Sequence, residues 1–155
     1  MVEQFGTPQD IYDKPASLFV ADFIGSPSMN FLNYKGDVTS GQKVAKLGEH
    51  IINVPQQLED TSGKLVLGVR PEHIALSDSG SLRAEVQAVE YLGTTQIVVM
   101  QSEFGELKAR VDSSMSVDVG DNVGVDFNAS TITLFDQSSG LALRSELNDG
   151  ALQRG

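Results

Sequence analysis

The stretch Phe19–Leu32 joins two kinds of local pattern, and it constrains the fold more than any other part of the sequence. Its first apolar residues recur at i, i+1, i+4 and i+5, a spacing that places them on one side of a helix: Phe19, Val20, Phe23 and Ile24. Gly25 is a typical helix stop, and Pro27 disfavours resumption of the helix. We therefore predict helices before this junction and extended chain after it.

Two short helices are predicted ahead of the junction. Thr7 suits an N-cap, Pro8 suits the first helical position, and Asp10 is placed to reach back toward the cap. Pro15 restricts the residue before it and ends this helix, and the second helix is predicted to run from Pro15 to about Ile24. Helices this short cannot bury a core of their own. Their apolar residues are therefore expected to pack on another domain or a neighbouring chain: Ile11, Tyr12, Phe19 and Phe23.

From Asn33 onward the pattern changes to short apolar runs separated by Gly, Asp or Ser, which is typical of β-strands. The predicted strands are Lys64–Val69, Ile97–Met100, Thr131–Phe135 and one around Val123–Phe127, and turns are predicted at Thr61–Gly63 and Glu103–Glu106. Two further strands are predicted from alternation, one with Leu82, Ala84, Val86 and Ala88 facing inward, and one after the second turn with Leu107, Ala109 and Val111 facing inward. Half a dozen such strands without a long helix predict a small β-barrel or a sandwich, and glycines at the strands favour the barrel. The polar tail Ser145–Gly155 is expected to fray.

Composition excludes several classes of function. The chain has no cysteine and two histidines, which rules out thiolate chemistry and leaves little for a histidine-based metal site. Its net charge of −10 disfavours nucleic acid and anionic lipid as partners. No apolar run approaches the roughly 20 residues that span a bilayer, so the sequence predicts a cytoplasmic protein.

Catalytic motifs are missing from the sequence. Ser62-Gly63-Lys64 is followed by Leu65 and lacks the upstream glycine of a phosphate-binding loop. The carboxylates are scattered over outward strand positions, so none is singled out as an acid or a base. We therefore predict no catalytic, cofactor-binding or metal-binding residue in this chain.

One cluster of residues, Gly68–His73, has two possible interpretations. A strand ends here and Pro71 suits a short helical turn, so an ion pair between Arg70 and Glu72 could simply tie the end of the strand. Alternatively, Arg70, Glu72 and His73 form a regulatory or interface contact that uses the arginine fork and the imidazole.

Aromatic residues are scarce, and Tyr91 and Phe104 are the candidates for an exposed stacking surface, although a Phe at a hairpin tip more often packs on its own turn.

Several stretches together resemble the ATP-binding subunit of ABC importers of the maltose and glycerol-3-phosphate type. The matching stretches, in order, are Val2–Tyr12, Pro15–Pro27, Met29–Leu32, Gly68–His73, Glu90–Gln96 and Leu134–Asp136. The first two are similar to the end of the ATPase domain, and the others are similar to the regulatory domain that follows it. The resemblance implies a mainly β fold, an OB-like (TOBE) barrel preceded by two short helices. It also implies a division into 1–32 (the helical end of the ATPase domain plus a linker), 33–145 (the TOBE domain) and 146–155 (a flexible tail).

The same resemblance implies a regulatory and dimerisation role. The barrels of two subunits hold a homodimer together, and a cytoplasmic regulatory protein docks on them in some members. ATP and Mg would be bound by the parent subunit, which would hydrolyse ATP and contact permease subunits at the inner face of the membrane. The alternative that the residues leave open is a free-standing OB-like module that binds an oxyanion or a sugar.

Overall fold

The computed structural model describes residues 6–25, 27–80 and 82–149. Within these residues, helices α1 and α2 come first, then ten strands, with 3₁₀ turns at Pro71–His73 and Ala129–Thr131. The helices and strands are α1 Pro8–Asp13, α2 Leu18–Phe23, β1 Asn30–Val38, β2 Val44–Leu47, β3 His50–Asn53, β4 Thr61–Val69, β5 Ile74–Ser77, β6 Leu82–Tyr91, β7 Thr95–Ser102, β8 Gly105–Asp112, β9 Asn122–Phe127 and β10 Thr133–Asp136. The predicted mainly β fold with two short helices is confirmed.

The strands of the described part of the chain form three antiparallel sheets. Strand order is β1-β4-β10 in one sheet, β2-β3 in a second, and β5-β9-β6-β7-β8 in the third. Asn30 joins the first sheet to the third, because its amide side chain both accepts from the Lys108 N–H and donates to the Lys108 carbonyl, each at 2.8 Å. The sheets therefore enclose one main apolar core to which strands of all three contribute, including Leu32, Leu47 and Leu107.

The first helix follows its sequence signals and the second does not. Thr7 caps α1 by accepting from the Asp10 N–H, as predicted. Helix α2 begins at Leu18 rather than Pro15, and Ser17 caps it. Pro15 does not begin a helix because the chain after it pairs with the 140–142 segment: the Leu18 N–H donates to the Gly140 carbonyl, and Ala16 accepts from the Ala142 N–H.

Three further strand predictions need correction. Strand β1 begins at Asn30, three residues before Asn33. Thr61–Gly63 is not a turn but the first part of β4, where it pairs with the end of β1. Ala88 is exposed rather than inward because a bulge between Val86 and Ala88 shifts the register of β6 against β7. The hairpin turn predicted at Glu103–Glu106 is confirmed, since Ser102 pairs with Gly105 across it.

The start of the predicted flexible tail is packed. Asn148 is fully buried, and its side chain accepts from the Ser145 N–H at 2.8 Å and donates to the Leu143 carbonyl at 2.9 Å. The prediction that the chain frays from Ser145 is therefore wrong as far as Asp149, because a local asparagine turn satisfies the backbone there. The rest of that tail lies outside the described residues.

Candidate functional site

The predicted cluster lies where β4 ends beside the two N-terminal helices. Strand β4 stops at Val69, Arg70 stands at the N-cap position of the 3₁₀ turn Pro71–His73 without a side-chain hydrogen bond to it, and Pro71 occupies the first position of that turn. The Arg70 side chain does not extend into solvent but runs toward the helices, and only 1% of its surface is exposed. A fully buried arginine requires hydrogen-bond acceptors around it, because an unpaired buried charge is costly.

Those acceptors are the carbonyl groups at the ends of both helices. Arg70 Nη1 donates to the carbonyls of Ala21, at 3.1 Å, and Ile24, at 2.6 Å, at the end of α2. Its Nη2 donates to the Tyr12 carbonyl near the end of α1, at 3.0 Å. The last carbonyls of a helix have no partner within the helix and carry partial negative charge. One guanidinium therefore caps two helices and ties both to the barrel.

Tyr12 links Arg70 to Glu72. The Arg70 guanidinium carbon lies 4.2 Å from the centroid of the Tyr12 ring, a cation–π geometry, and the Tyr12 hydroxyl donates to the Glu72 carboxylate. Arg70 and Glu72 do not form the ion pair that the sequence suggested, since each bonds to the helical segment instead. We call Tyr12, Arg70 and Glu72 the helix latch.

The electrostatics of the latch follow from burial and from its hydrogen bonds. Burial, with help from the hydrogen bond to Glu72, raises the pKa of Tyr12 to about 12, so the phenol stays protonated and remains a donor. Burial also lowers the pKa of Arg70, while the nearby Tyr12 and Glu72 oppose that shift. For Glu72 burial acts to raise the pKa, but the Tyr12 hydrogen bond, its own backbone and the charges of His73 and Arg110 together lower it. At neutral pH the latch therefore consists of a cation, a neutral phenol and a carboxylate.

Gly25 has no side chain, and Arg70 and Tyr12 of the latch occupy the space where a side chain would lie. Its φ of +114° is a conformation that side chains rarely adopt, and a Cβ there would lie 3.1 Å from Arg70 Nη1 and 3.3 Å from Tyr12 Cε1. The sequence marks Gly25 as a helix stop, but its second role, the close approach of Arg70, depends on tertiary contacts. Tyr12 was likewise expected to pack outside the chain, whereas it packs on Arg70.

His73 lies at the edge of the latch rather than within it. Its backbone N–H donates to the Arg70 carbonyl, and its carbonyl accepts from the Asn128 N–H, so the residue is held between the 3₁₀ turn and the end of β9. Its Nδ1 atom is buried without a hydrogen-bond partner in the described part of the chain. His73 borders a cleft of about 240 Å³ together with Lys14, Ser130 and Thr131. The structure thus brings Arg70, Glu72 and His73 to one place, with the latch inside and the imidazole beside the cleft.

Comparisons with known proteins match most of the barrel. The family model of the TOBE domain matches residues 67–135, and that of the MalK OB fold domain matches residues 25–74. Residues 25–135 belong to the TOBE and MalK OB-fold family. Both Gly25 and Arg70 fall inside the matched range of this TOBE region, whereas Tyr12 precedes it.

Curated relatives of the chain are import or transport ATP-binding proteins. The chain is 43% identical over 97 residues to the sn-glycerol-3-phosphate import ATP-binding protein UgpC of Ruegeria sp. (strain TM1040), which covers 63% of this chain and 26% of the relative. It is 37% identical over 142 residues to UgpC of Vibrio vulnificus (strain YJ016), covering 88% of this chain and 37% of the relative. It is 35% identical over 156 residues to the multiple sugar-binding transport ATP-binding protein MsmK of Streptococcus mutans, covering 92% of this chain and 41% of the relative. The chain thus spans 26–41% of the length of these relatives, and its residues 25–135 match the TOBE regulatory part.

Two aromatic predictions have different outcomes in the TOBE domain. Phe104 is half-buried, as expected, but it packs on the main core and contacts the His50 ring edge-on at a centroid distance of 6.0 Å, not its own turn as predicted. Tyr91 is 65% exposed. On α2, Phe19 and Phe23 are 78% and 75% exposed and stack on each other with centroids 6.1 Å apart. The described part of the chain therefore leaves the phenylalanine face of α2 uncovered.

No helix among the described residues is long and apolar enough to cross a membrane. Within the same residues, no group of three or more His, Asp or Glu side chains is placed to hold a metal ion.

Proposed function

We propose that this chain is the regulatory and dimerisation domain of the ATP-binding subunit of an ABC transporter that imports a sugar, a sugar alcohol or a glycerol phosphate. The observation that carries the proposal is the match of residues 25–135 to the TOBE and MalK OB-fold models, together with relatives that are import ATP-binding proteins. The parent subunit binds ATP and Mg and hydrolyses ATP. This domain contributes no catalytic group to that reaction.

The phenylalanine face of α2 supports the presence of a larger parent protein. Two stacked aromatic rings, each at least 75% exposed, are unusual on the surface of a free domain. The relatives are more than twice as long as the matched segment. In our proposal the rest of the parent subunit, its ATPase domain, covers Phe19 and Phe23.

The helix latch provides the mechanical link in this proposal. Arg70 holds both helices to the barrel through three carbonyl groups, so a displacement of the ATPase domain that moves the helices also moves the barrel. Two barrels in a homodimer then keep two subunits together while their ATPase domains open and close. A cytoplasmic regulator that binds the barrel more tightly in one of these states would bias the cycle, because a ligand shifts an equilibrium only by its difference in affinity.

Arg70, Glu72 and His73 have distinct roles in this account. Arg70 and Glu72 hold the helices, and His73 presents an imidazole at the edge of the cleft where a regulator can reach it. The complex is placed at the inner face of the cell membrane, on the cytoplasmic side, through the permease subunits that the ATPase domain contacts. Nucleic acid is not a partner in this proposal, in keeping with the net charge of −10.

The dimerisation role is tested in a chimeric subunit. The segment of the Vibrio vulnificus relative that matches this chain is replaced by this chain, and sedimentation velocity is measured without nucleotide. We expect a dimer at micromolar concentration, and a monomer when the segment is deleted. A chimera that is folded and binds ATP but sediments as a monomer would refute the dimerisation role.

A further inference from the structure

In the described part of the chain, one edge of strand β6 is hydrogen-bonded to neighbouring backbone along only half of its length. Its first half pairs with β9 from Leu82 to Glu85, and Val86 then bonds the loop before β9, donating to the Asp121 carbonyl and accepting from the Gly120 N–H. Beyond Val86 the same edge has no strand beside it among the described residues, while the opposite edge remains paired with β7 as far as Tyr91.

In an antiparallel pair of strands, the backbone groups of successive residues point alternately to the two edges, and this identifies the N–H and carbonyl groups of β6 that have no partner strand among the described residues. The Leu92 N–H donates to the Thr95 carbonyl at 2.8 Å, so Glu90 and Ala88, two and four residues earlier, also bond across to β7. The N–H and carbonyl groups of Val89 and Tyr91 therefore point to the open edge. No described residue bonds to them there. Such an edge is a template for an added strand.

Exposed apolar side chains lie around the open edge. Tyr91 and Leu92 stand at its far end, 65% and 48% exposed. Met115 is held near that end because Gln96, the partner of Tyr91 on β7, donates to the Met115 carbonyl. Val119, 67% exposed, is held at the near end by the bond from its neighbour Gly120 to Val86. An added strand would thus find apolar contacts at both ends.

Carboxylates are the charged side chains on and beside the open edge, whereas the cations of the sheet lie at the start of β6 and on β8: Arg83, Lys108 and Arg110. Residues 84–107 and 111–143 contain neither lysine nor arginine, and the exposed carboxylates of Glu90, Asp118 and Asp121 lie on or beside the open edge. A second copy of the chain would bring these carboxylates against their own equivalents. A segment with basic residues would instead meet complementary charge.

We propose that the open edge of β6, from Ala88 to Leu92, binds an extended segment of a partner protein in which apolar residues alternate with lysine or arginine. Backbone bonds to Val89 and Tyr91 give the segment its register. Its apolar side chains contact Tyr91 and Val119, and its cations face Glu90 and the two aspartates. This site is separate from the helix latch and does not depend on the transporter assignment.

The test uses this chain and a synthetic eight-residue peptide of alternating valine and lysine with blocked termini. Amide NMR spectra follow the titration, and hydrogen exchange is measured with and without the peptide. We expect saturable binding and slower exchange at Val89 and Tyr91. A peptide of alternating valine and glutamate, and the valine–lysine peptide with a central proline, should bind at least about tenfold more weakly, since the first lacks the charge and the second lacks the continuous strand.

Two variants make the test specific. Glu90→Lys should weaken binding of the valine–lysine peptide several-fold and strengthen binding of the valine–glutamate peptide. Glu49→Lys, an exposed carboxylate at the β2–β3 turn, is the matched control and should change neither. Equal binding of all three peptides, or shifts that map elsewhere, would overturn the proposal. Without peptide, amide exchange at Val89 and Tyr91 could instead become slower as the protein concentration rises. That result would show that a second copy of the chain occupies the edge, and it would also overturn the proposal.

Discussion

Replacement of Arg70 by methionine tests the helix latch most sharply. Methionine keeps much of the apolar stem but removes three hydrogen bonds to helix-end carbonyls, and one of their acceptors, on Ala21, belongs to a fully buried residue. Hydrogen bonds from charged groups contribute about 1.5–3 kcal/mol each, and each buried carbonyl left without a partner costs about 1–3 kcal/mol. We expect the free energy of unfolding to fall by about 3–5 kcal/mol, a large part of the roughly 5–15 kcal/mol that a typical domain possesses.

The matched control is Arg83→Met. Arg83 also makes three hydrogen bonds, two to Asn122 and one to the Asp78 carbonyl, at 2.8–3.2 Å, but it is exposed. Its replacement should cost less than about 1 kcal/mol, because water replaces the lost partners. Urea unfolding of both variants measures the difference. Limited proteolysis should show early cleavage within residues 6–25 of Arg70→Met alone.

The result that would refute the latch is an equal loss of stability in the two variants. Equal loss would mean that the carbonyls of Tyr12, Ala21 and Ile24 do not depend on the guanidinium. Arg70→Lys should lie between the wild type and Arg70→Met, because an ammonium keeps the charge but cannot reach acceptors on two helices at once.

Three further predictions address the surroundings of the latch. Tyr12→Phe should lower the free energy of unfolding by about 0.5–1.5 kcal/mol at pH 7. Because the pKa of Glu72 is lowered in the folded state, the stability that the Tyr12–Glu72 hydrogen bond contributes is present above the ordinary pKa of Glu72 and is lost as the pH falls through the lowered value. In pH-dependent urea unfolding, the difference between variant and wild type should therefore shrink below about pH 4.5, and a difference that is constant with pH would contradict the Tyr12–Glu72 contact. Gly25→Ala should lower the free energy of unfolding by about 1–3 kcal/mol more than Gly93→Ala, because both glycines have positive φ but only a Cβ at Gly25 would crowd Arg70. Equal melting temperatures for the two variants would show that Arg70 does not pack tightly against Gly25. The double change Phe19→Ser and Phe23→Ser should remove association of this chain beyond the barrel dimer in sedimentation experiments with little change in melting temperature, whereas Ile51→Ser at another exposed site should leave that association unchanged. Species larger than a dimer that persist in the double variant would exclude the phenylalanine face as their cause.

Local signals in the sequence were enough to predict the parts of the fold that local interactions determine. Thr7 and Pro8 mark the start of α1 because a cap and a first-turn proline act within four residues. The hairpin at Glu103–Glu106 and the inward alternation of Leu107 and Ala109 follow from the same kind of signal.

The errors lie where distant segments decide the structure. Helix α2 starts late because Ala16 bonds to Ala142, a residue more than 120 positions away in the chain, and no local pattern reports that pairing. Ala88 faces outward because of a bulge that depends on the register of β7. In the candidate site, the sequence pointed to Arg70, Glu72 and His73, but the partners of Arg70 lie 46–58 residues away, so the latch and the role of Tyr12 in it emerge only from the fold.

The central claim is that this chain serves as the regulatory domain of an import ATP-binding subunit, and transport itself tests it most directly. A Vibrio vulnificus strain that lacks its UgpC relative would receive the chimeric subunit carrying this chain, and uptake of radiolabelled glycerol-3-phosphate would be measured. The account predicts that the chimera restores a substantial part of uptake and that Arg70→Met in it reduces uptake far more than Arg83→Met. A chimera that is stably produced and hydrolyses ATP yet restores no uptake would contradict the account.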